Sequence, residues 1–364
     1  MENLVCCLAC VAAFVCVQGS ARGASDKMVF PGKTWVRGEA EAFGFDKATL
    51  DAIGAKMKKA QANGVLVRDG RLIAEWLFSG PPDKKLMIQS CTKSITSLML
   101  GLAVQEKLIP SLDAPVKQHW PAFETGPYTD KITFRHLVTM TSGMAATRWW
   151  GLEYVDPGNI EPGTEYHYHN DQPVALARAL TYVYGRELRE VLKEKVLSAL
   201  DTDMKWDRDG TIRAANGMMV PVNHGLGYSH WTARGLAKMG LLYLAKGRWR
   251  DGQLLPAAYV KECFTEIPFG INRWRRGAWL KRQPQPKNAL AKMGYGLGWW
   301  TDKGSNVWAM SGHGGQFCMV LPDHGVVMTK VNDWRIRPFI GRSQFAPILM
   351  KCLARDGQNA GARK

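Results

Sequence analysis

An apolar segment at residues 94–104 begins directly after Ser90-Cys91-Thr92-Lys93, and this junction constrains the chain more than any other feature. If the segment is a helix, positions i and i+3 share a face, so the amine of Lys93 lies over the hydroxyl of Ser90. A serine hydroxyl attacks well only when a base takes its proton, and a lysine can be that base when burial lowers its pKa. The free N–H groups at the start of a helix also favour developing negative charge. The spacing therefore predicts a serine nucleophile, although a polar first turn on a core helix would have the same pattern.

A second polar segment, residues 162–170, precedes another apolar helix pattern that starts at Pro173. Its Pro-Gly pair predicts a turn, so we expect Tyr168 and Asn170 on a loop where side chains can converge on a cleft. A tyrosine near a lysine cation can lose its proton more easily and relay it to a leaving group. The alternative is structural, with an aromatic wall at Tyr168 and a helix N-cap at Asn170.

A third segment, residues 311–316, is rich in glycine and is followed by apolar runs at residues 317–322 and 326–331. Two apolar runs that are separated by a short polar stretch containing glycine predict a β-hairpin. Glycines at the start of the first strand would let a substrate backbone lie against it. A plain glycine-rich turn is the alternative.

In this order, the three segments resemble the S-x-x-K, S-D-N-like and K-T-G-like elements of the serine β-lactamase and penicillin-binding protein superfamily. They are most similar to its class C-type branch, which includes class C β-lactamases, D-alanyl-D-alanine carboxypeptidases, family VIII esterases and nylon-oligomer hydrolases. That branch uses Y-x-N as its second element and often H-x-G as its third. The stretches at residues 132–143 and 295–300 also resemble this branch, and the likeness extends from about residue 44 to about residue 350.

The resemblance implies a role for each polar side chain of the first two segments. Ser90 would be the nucleophile, and Lys93 would be the base that activates it. Tyr168 would carry the proton to the leaving group, and Asn170 would orient Lys93 or the substrate amide. Such a mechanism needs no metal and no cofactor. The sequence also lacks the G-x-S-x-G motif, which argues against an α/β-hydrolase.

The resemblance also implies that two backbone N–H groups hold the oxyanion of the reaction. These belong to Ser90 and to Gln316, the residue that follows His313-Gly314-Gly315. His313 stands where relatives carry the lysine of K-T-G, and a histidine is largely neutral at pH 7. The expected substrate is therefore a small ester or amide, including linear amides of the nylon-oligomer type, ahead of a D-Ala-D-Ala-like peptide and a β-lactam. The alternative is a non-catalytic binding or scaffold protein on the same fold.

The order of the apolar patterns predicts an α+β fold, in which an antiparallel β-sheet flanked by helices accompanies an all-helical lobe. The sheet lobe would combine residues of about 25–85 and 291–364, and the helical lobe about 86–290, with the site in the cleft between them. A capped helix is expected from Asp46, and a hairpin turn at Asp69-Gly70. Further helices are predicted at residues 172–184, 186–200, 232–244, 256–264 and 345–353. Strands are predicted at residues 296–301, 307–310, 317–321 and 326–331.

Residues 4–17 form an apolar run that is too short to cross a bilayer as a helix and that precedes the small-x-small pattern Gly19-Ser20-Ala21. This pattern predicts a signal peptide at residues 1–24 and an exported domain, periplasmic or secreted, at residues 25–364. The leading stretch contains Glu2 but no lysine or arginine, so a true start at Met28 is the alternative.

The cysteines beyond this run are far apart and predict neither a zinc site nor a redox motif; they are Cys91, Cys263, Cys318 and Cys352. The pair His167-x-His169 has the spacing for a metal site on a strand, but no third ligand lies nearby in the sequence.

The chain of 364 residues carries a formal net charge of +16, and part of the excess lies at residues 273–282, where basic and aromatic residues alternate. This pattern is typical of a solvated loop, or of a surface that contacts anionic envelope polymers. We expect no specific nucleic-acid partner and no transmembrane span.

Overall fold

The computed structural model describes residues 28–144, 160–268 and 293–362, with side chains up to residue 355. The predicted signal peptide and the basic segment 273–282 lie outside the described residues. The α-helices of the described residues are α1 Lys47–Lys59, α2 Thr92–Gln105, α3 Val116–His119, α4 Phe134–Val138, α5 Asp171–Tyr184, α6 Leu188–Leu192, α7 Ala233–Leu244, α8 Ala257–Cys263 and α9 Ala346–Ala362. The strands are β1 Asn63–Arg68, β2 Arg71–Leu77, β3 Leu86–Met87, β4 Lys205–Trp206, β5 Arg208–Arg213, β6 Met219–Asn223, β7 Ser229–Trp231, β8 Arg248–Trp249, β9 Gly252–Gln253, β10 Met293–Tyr295, β11 Trp300–Asp302, β12 Trp308–Gly312, β13 Gln316–Leu321 and β14 Val326–Val331.

A seven-stranded antiparallel sheet has the strand order β10-β11-β12-β13-β14-β1-β2. Strands β13 and β14 are buried along their whole length, which explains why their sequences are largely apolar without alternation. Helices α1 and α9 cover one face, where Phe45, Phe317 and Phe345 share an apolar cluster. Helix α7 covers the other face, and the Thr329 hydroxyl donates to the Ala233 carbonyl at 3.0 Å. The predicted α+β architecture is confirmed.

The two local signals near the start of the described chain are also confirmed. Asp46 caps α1, because its Oδ1 accepts a hydrogen bond from the Thr49 N–H at 2.7 Å. Strands β1 and β2 pair across the turn at Asp69-Gly70, where both residues have positive φ. A turn of this kind matches the twist of the strands that it joins.

Three details differ from the sequence-based predictions. The strand predicted at 296–301 is confirmed only at its end, where β11 begins at Trp300; before it, the Gly296 N–H closes a turn on the Trp299 carbonyl at 2.8 Å, with Gly298 at φ +78°. The helix predicted at 186–200 begins only at Leu188 and continues as a π-helical stretch at Lys193–Leu197. The region predicted as the helical lobe also contains the short strands β3 to β9, and its helix α7 packs on the sheet.

Helix α2 is buried along nearly its whole length, so each hydroxyl on it needs an acceptor. Ser94 donates to the Gly298 carbonyl at 2.6 Å, and Ser97 to the Leu297 carbonyl at 2.8 Å. Thr96 donates to the Gly225 carbonyl at 2.9 Å. These bonds connect α2 to the β10–β11 turn and to the segment before β7, and they fix the position of its first turn.

Candidate active site

Ser90 lies in a 3-10 turn, Gln89–Cys91, that leads directly into α2. Gln89 has a φ of +53°, a left-handed backbone conformation that is costly for a residue with a side chain. Cys91 is fully buried, and its thiol contacts the Gln316 carbonyl at 3.5 Å, as expected for a small packing residue. Because Cys91 points into the core, the half-buried side chain of Ser90 is free to face the second and third segments.

Lys93 makes three hydrogen bonds in an environment almost without solvent, with only 3% of its surface exposed. Its Nζ lies 3.0 Å from Ser90 Oγ, 3.0 Å from Asn170 Oδ1 and 2.9 Å from the Leu226 carbonyl oxygen. Burial lowers the pKa of Lys93 to about 7, and the nearby Cys91 opposes this effect. A substantial fraction of the amine is therefore neutral at pH 7.

The three hydrogen-bond partners of Lys93 also determine where the lone pair of the neutral amine points. The amide oxygen of Asn170 and the carbonyl oxygen of Leu226 can only accept hydrogen bonds, so they take the two N–H groups of the neutral amine. The lone pair then faces Ser90 Oγ, which can donate its proton. This geometry is the one that a general base for Ser90 requires.

Asn170 occupies the N-cap position of α5, but its side chain makes no capping hydrogen bond. Its Oδ1 instead accepts from Lys93. Of the two interpretations of Asn170, the geometry favours a group that orients Lys93 over a structural cap.

Tyr168 completes the cluster, since its hydroxyl is in hydrogen-bond contact with Ser90 and its ring centroid lies 5.1 Å from Lys93 Nζ. The argument that the lysine cation makes this phenol easier to deprotonate is wrong here. Burial raises the pKa of Tyr168, and this effect outweighs the opposing effect of its hydrogen bond with Ser90. At neutral pH Tyr168 is therefore a protonated phenol. It can donate its proton and then take another one up, but it is not a phenolate at rest.

An aromatic cluster holds the Tyr168 ring. Its centroid lies 5.2 Å from that of Trp300 and 6.2 Å from that of Tyr295. Trp299, next in sequence to Trp300, is fully buried in the core instead. The motif at residues 295–300 thus provides one wall of the site and one core side chain.

The third segment forms the tight connection between β12 and β13. Gly314 and Gly315 have φ values of +80° and +79°. A Cβ on Gly312 would lie 2.3 Å from the Ile88 carbonyl oxygen, and a Cβ on Gly315 would lie 2.4 Å from that of Ile340. The glycines are therefore required by the close approach of the protein's own backbone, and not only by room for a substrate. This approach brings β12 against the turn that carries Ser90.

His313 lies at the outer end of this connection. Its ring centroid is 4.7 Å from that of Phe339 and 5.7 Å from that of Trp334. Partial burial and the nearby Arg337 cation lower its pKa. The imidazole is therefore uncharged at neutral pH, as the sequence argument expected.

Sequence reasoning missed two parts of the site. The Leu226 carbonyl is a main-chain acceptor, and a main-chain acceptor leaves no signal in the sequence. Lys330 lies within the apolar pattern of β14, yet its ammonium reaches Gly314 and Gly315 from behind. Its position in a buried strand was the only available signal.

The described residues contain no group of three or more His, Cys, Asp or Glu side chains that could hold a metal ion. His167 Nε2 lies 3.0 Å from Glu165, and His169 Nδ1 lies 3.4 Å from Asp171, so the two imidazoles face separate carboxylates. The cysteines 91, 263, 318 and 352 are all buried and free. No helix among the described segments is long and apolar enough to cross a membrane.

Comparison with known proteins gives a family match. A family model described as Beta-lactamase matches residues 51–333. No curated protein matches the chain.

Solved structures share the fold at low sequence identity. A penicillin-binding protein homologue from Caulobacter crescentus is 16% identical, with a TM-score of 0.63 and coverage of 86% of this chain and 97% of the other. A candidate 6-aminohexanoate-dimer hydrolase from Bacillus anthracis is 16% identical, with a TM-score of 0.62 and coverage of 93% and 89%. A D-stereospecific amidohydrolase from Streptomyces sp. is 21% identical, with a TM-score of 0.57 and coverage of 82% and 96%.

Proposed function

Because the chain belongs to the beta-lactamase family, we propose that it is a serine hydrolase that forms an acyl-enzyme on Ser90. One observation carries this proposal. The Lys93 amine lies 3.0 Å from Ser90 Oγ, and burial lowers its pKa to about 7. Among the described residues, no carboxylate lies within ion-pair distance of Lys93 to hold it as a cation.

The cycle begins when the lone pair of Lys93 takes the proton of Ser90. The Oγ then forms a bond to the substrate carbonyl carbon, and the carbonyl electrons move onto oxygen as an oxyanion. The backbone N–H of Ser90 is proposed to hold this oxyanion, whereas the expected second donor, Gln316, is fully buried and pairs with Gly312 in the β12–β13 ladder. As the bond to the leaving group breaks, Tyr168 donates its proton to that group and recovers one from the Lys93 ammonium. Water then cleaves the acyl ester and restores Ser90.

We propose a small ester or amide as the substrate, including linear amides of the nylon-oligomer type. At neutral pH His313 carries no charge, so it offers no ion pair to a substrate carboxylate. Two proteins of the same fold are named as a candidate 6-aminohexanoate-dimer hydrolase and as a D-stereospecific amidohydrolase, which is consistent with amide chemistry on this scaffold. A D-Ala-D-Ala-like peptide and a β-lactam rank below these substrates.

A serine-reactive fluorophosphonate tests the acyl-enzyme directly. We expect the wild type to be labelled and S90A to remain unlabelled, with matching circular dichroism spectra. Lack of labelling of the folded wild type by the fluorophosphonate and by a penicillin probe would support the scaffold alternative. A panel of nitrophenyl esters, nitrocefin, a D-Ala-D-Ala peptide and an aminohexanoate dimer then ranks the substrates by kcat/KM.

We further propose that residues 1–24 direct export and that residues 273–282 contact anionic envelope polymers. Fusion of residues 1–30 to a phosphatase that is active only outside the cytoplasm tests export, with a fusion that starts at Met28 as the control. Equal phosphatase activity of both fusions would reject the signal peptide.

A further inference from the structure

Leu77 and Phe78 form an exposed apolar pair at the end of β2, which is the edge strand of the seven-stranded sheet. Each residue keeps 42% of its surface exposed to solvent. Single apolar residues on a surface are normal, but this pair continues into the exposed Pro81 and Pro82. The fold therefore leaves a largely apolar segment, residues 77–82, in contact with water.

Hydrogen bonds from the body of the protein hold the backbone of this segment in place. The buried side chain of Asn63 accepts from the Ser79 N–H at 2.8 Å and donates to the Gly80 carbonyl at 3.0 Å. The Phe78 N–H donates to the Ala62 carbonyl at 3.2 Å. The exposure of the apolar pair is thus built into an ordered backbone, which keeps the apolar side chains at the surface at a cost in free energy.

Lysines surround the apolar pair. Lys58 and Lys59 lie in the last turn of α1, which leads directly into the segment that Phe78 contacts. Lys84 folds back so that its Nζ donates to the Ser79 carbonyl at 2.6 Å. All three lysines are exposed, and no carboxylate among the described residues lies within ion-pair distance of them. Because residues 77–85 contain one carboxylate, Asp83, the surface around the pair is positively charged.

An apolar pair with a rim of cations fits a partner that offers an apolar phase and negative charge together. An anionic lipid surface offers both, because apolar side chains enter the boundary between headgroups and acyl chains while lysines remain at the phosphates. A soluble polyanion would satisfy the lysines but leave the apolar pair in water. The formal net charge of +16 adds a long-range attraction to the same kind of surface.

This surface borders the part of the candidate site that His313 forms. Hydrogen bonding from Arg335 lowers the pKa of Asp333, and the nearby Lys84 cation adds to that effect. The next residue, Trp334, packs on His313 with ring centroids 5.7 Å apart. A contact at Lys84 would therefore bring the cleft close to the partner.

We propose that an α1–β2 patch, formed by Leu77, Phe78, Lys58, Lys59 and Lys84, docks the protein onto an anionic lipid surface. The two apolar side chains enter the headgroup region, and the lysines contact the lipid phosphates. The inference goes beyond the proposed function and does not depend on acylation of Ser90. It is also separate from the contact proposed for residues 273–282, which every variant below retains.

The first test measures sedimentation with vesicles of phosphatidylcholine, alone or with about one third phosphatidylglycerol. It uses the full chain and a chain that starts at Met28, so that the apolar run at residues 4–17 cannot explain binding. We expect phosphatidylglycerol to tighten binding of the wild type about 10-fold or more. L77S/F78S should weaken binding to the anionic vesicles about 10-fold, and so should K58Q/K59Q, because each lysine near such a surface contributes a factor of about five. A wild type that does not respond to phosphatidylglycerol overturns the inference.

The matched controls are M218S/M219S and K193Q/K261Q. Met218 and Met219 are another exposed apolar pair, on the β5–β6 hairpin. Lys193 and Lys261 are exposed lysines that lie directly after α6 and on α8. Both controls should bind anionic vesicles within about 2-fold of the wild type. If K193Q/K261Q loses as much affinity as K58Q/K59Q, net charge alone governs binding and the inference is overturned.

Hydrogen exchange then locates the contact and separates a lipid surface from other anions. Anionic vesicles should slow exchange at residues 77–85 and leave residues 213–219 unchanged, whereas polyphosphate should protect neither segment. Equal protection by polyphosphate, or a loss in L77S/F78S no larger than in M218S/M219S, assigns the patch to a soluble polyanion and overturns the inference. Circular dichroism confirms that each variant is folded, and F78S replaces L77S/F78S if the double variant is not. Labelling of Ser90 by the fluorophosphonate is measured separately, so failure of the proposed function would leave these results unchanged.

Discussion

The substitution N170D tests whether the charge state of Lys93 sets the rate. Asn170 Oδ1 lies 3.0 Å from Lys93 Nζ, and only 3% of the surface of Lys93 is exposed to solvent. A carboxylate in the same place adds a full negative charge at hydrogen-bond distance. At an effective dielectric constant of about 20, this attraction is worth about 5 kcal/mol as an upper bound. Observed effects of such neighbours are smaller and correspond to a displacement of the titration by about 1 to 3 pH units.

The expected result is a pH–rate profile that moves to higher pH. In the wild type, kcat/KM for a nitrophenyl ester should rise about tenfold per pH unit below pH 7 and level off above it, because the pKa of Lys93 is lowered to about 7 and only the neutral amine is a base. In N170D the negative charge favours the ammonium. A displacement of about 2 pH units would leave roughly one amine in a hundred neutral at pH 7, so the rate there falls about 50-fold and recovers near pH 10.

The control is N216D, which makes the same change at an exposed position whose side chain contacts the Gly185 carbonyl, outside the site. Its profile should overlie that of the wild type. A profile of N170D with an unmoved midpoint, or a loss at pH 7 that does not recover at alkaline pH, would refute the assignment of Lys93 as the base. Thermal unfolding of the variants at pH 7 and pH 10 shows whether they remain folded.

Three further predictions concern the site and its support. Y168F should lower kcat by about 10²- to 10⁴-fold with little change in Tm, because it removes only the hydroxyl that contacts Ser90; a rate near that of the wild type would exclude Tyr168 from proton transfer. G240A should lower the free energy of unfolding in urea by about 1–2 kcal/mol. Its Cβ would meet two buried side chains of the sheet at 2.6 and 2.7 Å, and the gain in helix propensity offsets only part of that cost. An unchanged urea midpoint would contradict the packing of α7 on the sheet. G315A should lose both activity and stability. The control G304A, at a φ of +75° in open space, should lose about 1 kcal/mol of stability and no activity. Similar effects of the two substitutions on ester hydrolysis would show that the β12–β13 connection does not shape the site.

Local signals determined much of the fold. The cap at Asp46, the turn at Asp69-Gly70 and the strand at Val326–Val331 were predicted because each depends on residues close together in the chain. The strand predicted at 296–301 begins only at Trp300, because a run of apolar residues does not distinguish a strand from a turn in which Gly298 takes a positive φ.

The candidate site likewise contains some features that the sequence predicted and others that it did not. The sequence placed Ser90 and Lys93 on one face of a helix, since their spacing is fixed by the helix itself. It also predicted Tyr168 and Asn170 as site residues, but it left open whether Asn170 orients Lys93, orients the substrate amide or caps the helix. The pKa of Tyr168 is raised, whereas the sequence argument predicted easier loss of its proton. The rise comes from burial against Trp300 and Tyr295, which belong to strands far away in the chain.

The sequence by itself determined the residue types that can carry acyl transfer and the order in which they occur along the chain. Only the tertiary structure decided that the amine of Lys93 loses its water and finds its second and third acceptors at Asn170 and Leu226. It likewise decided that the buried ammonium of Lys330 donates to the Gly315 carbonyl. Spacing along a helix is a local property, whereas desolvation and hydrogen-bond partners are set by segments that meet only when the chain has folded.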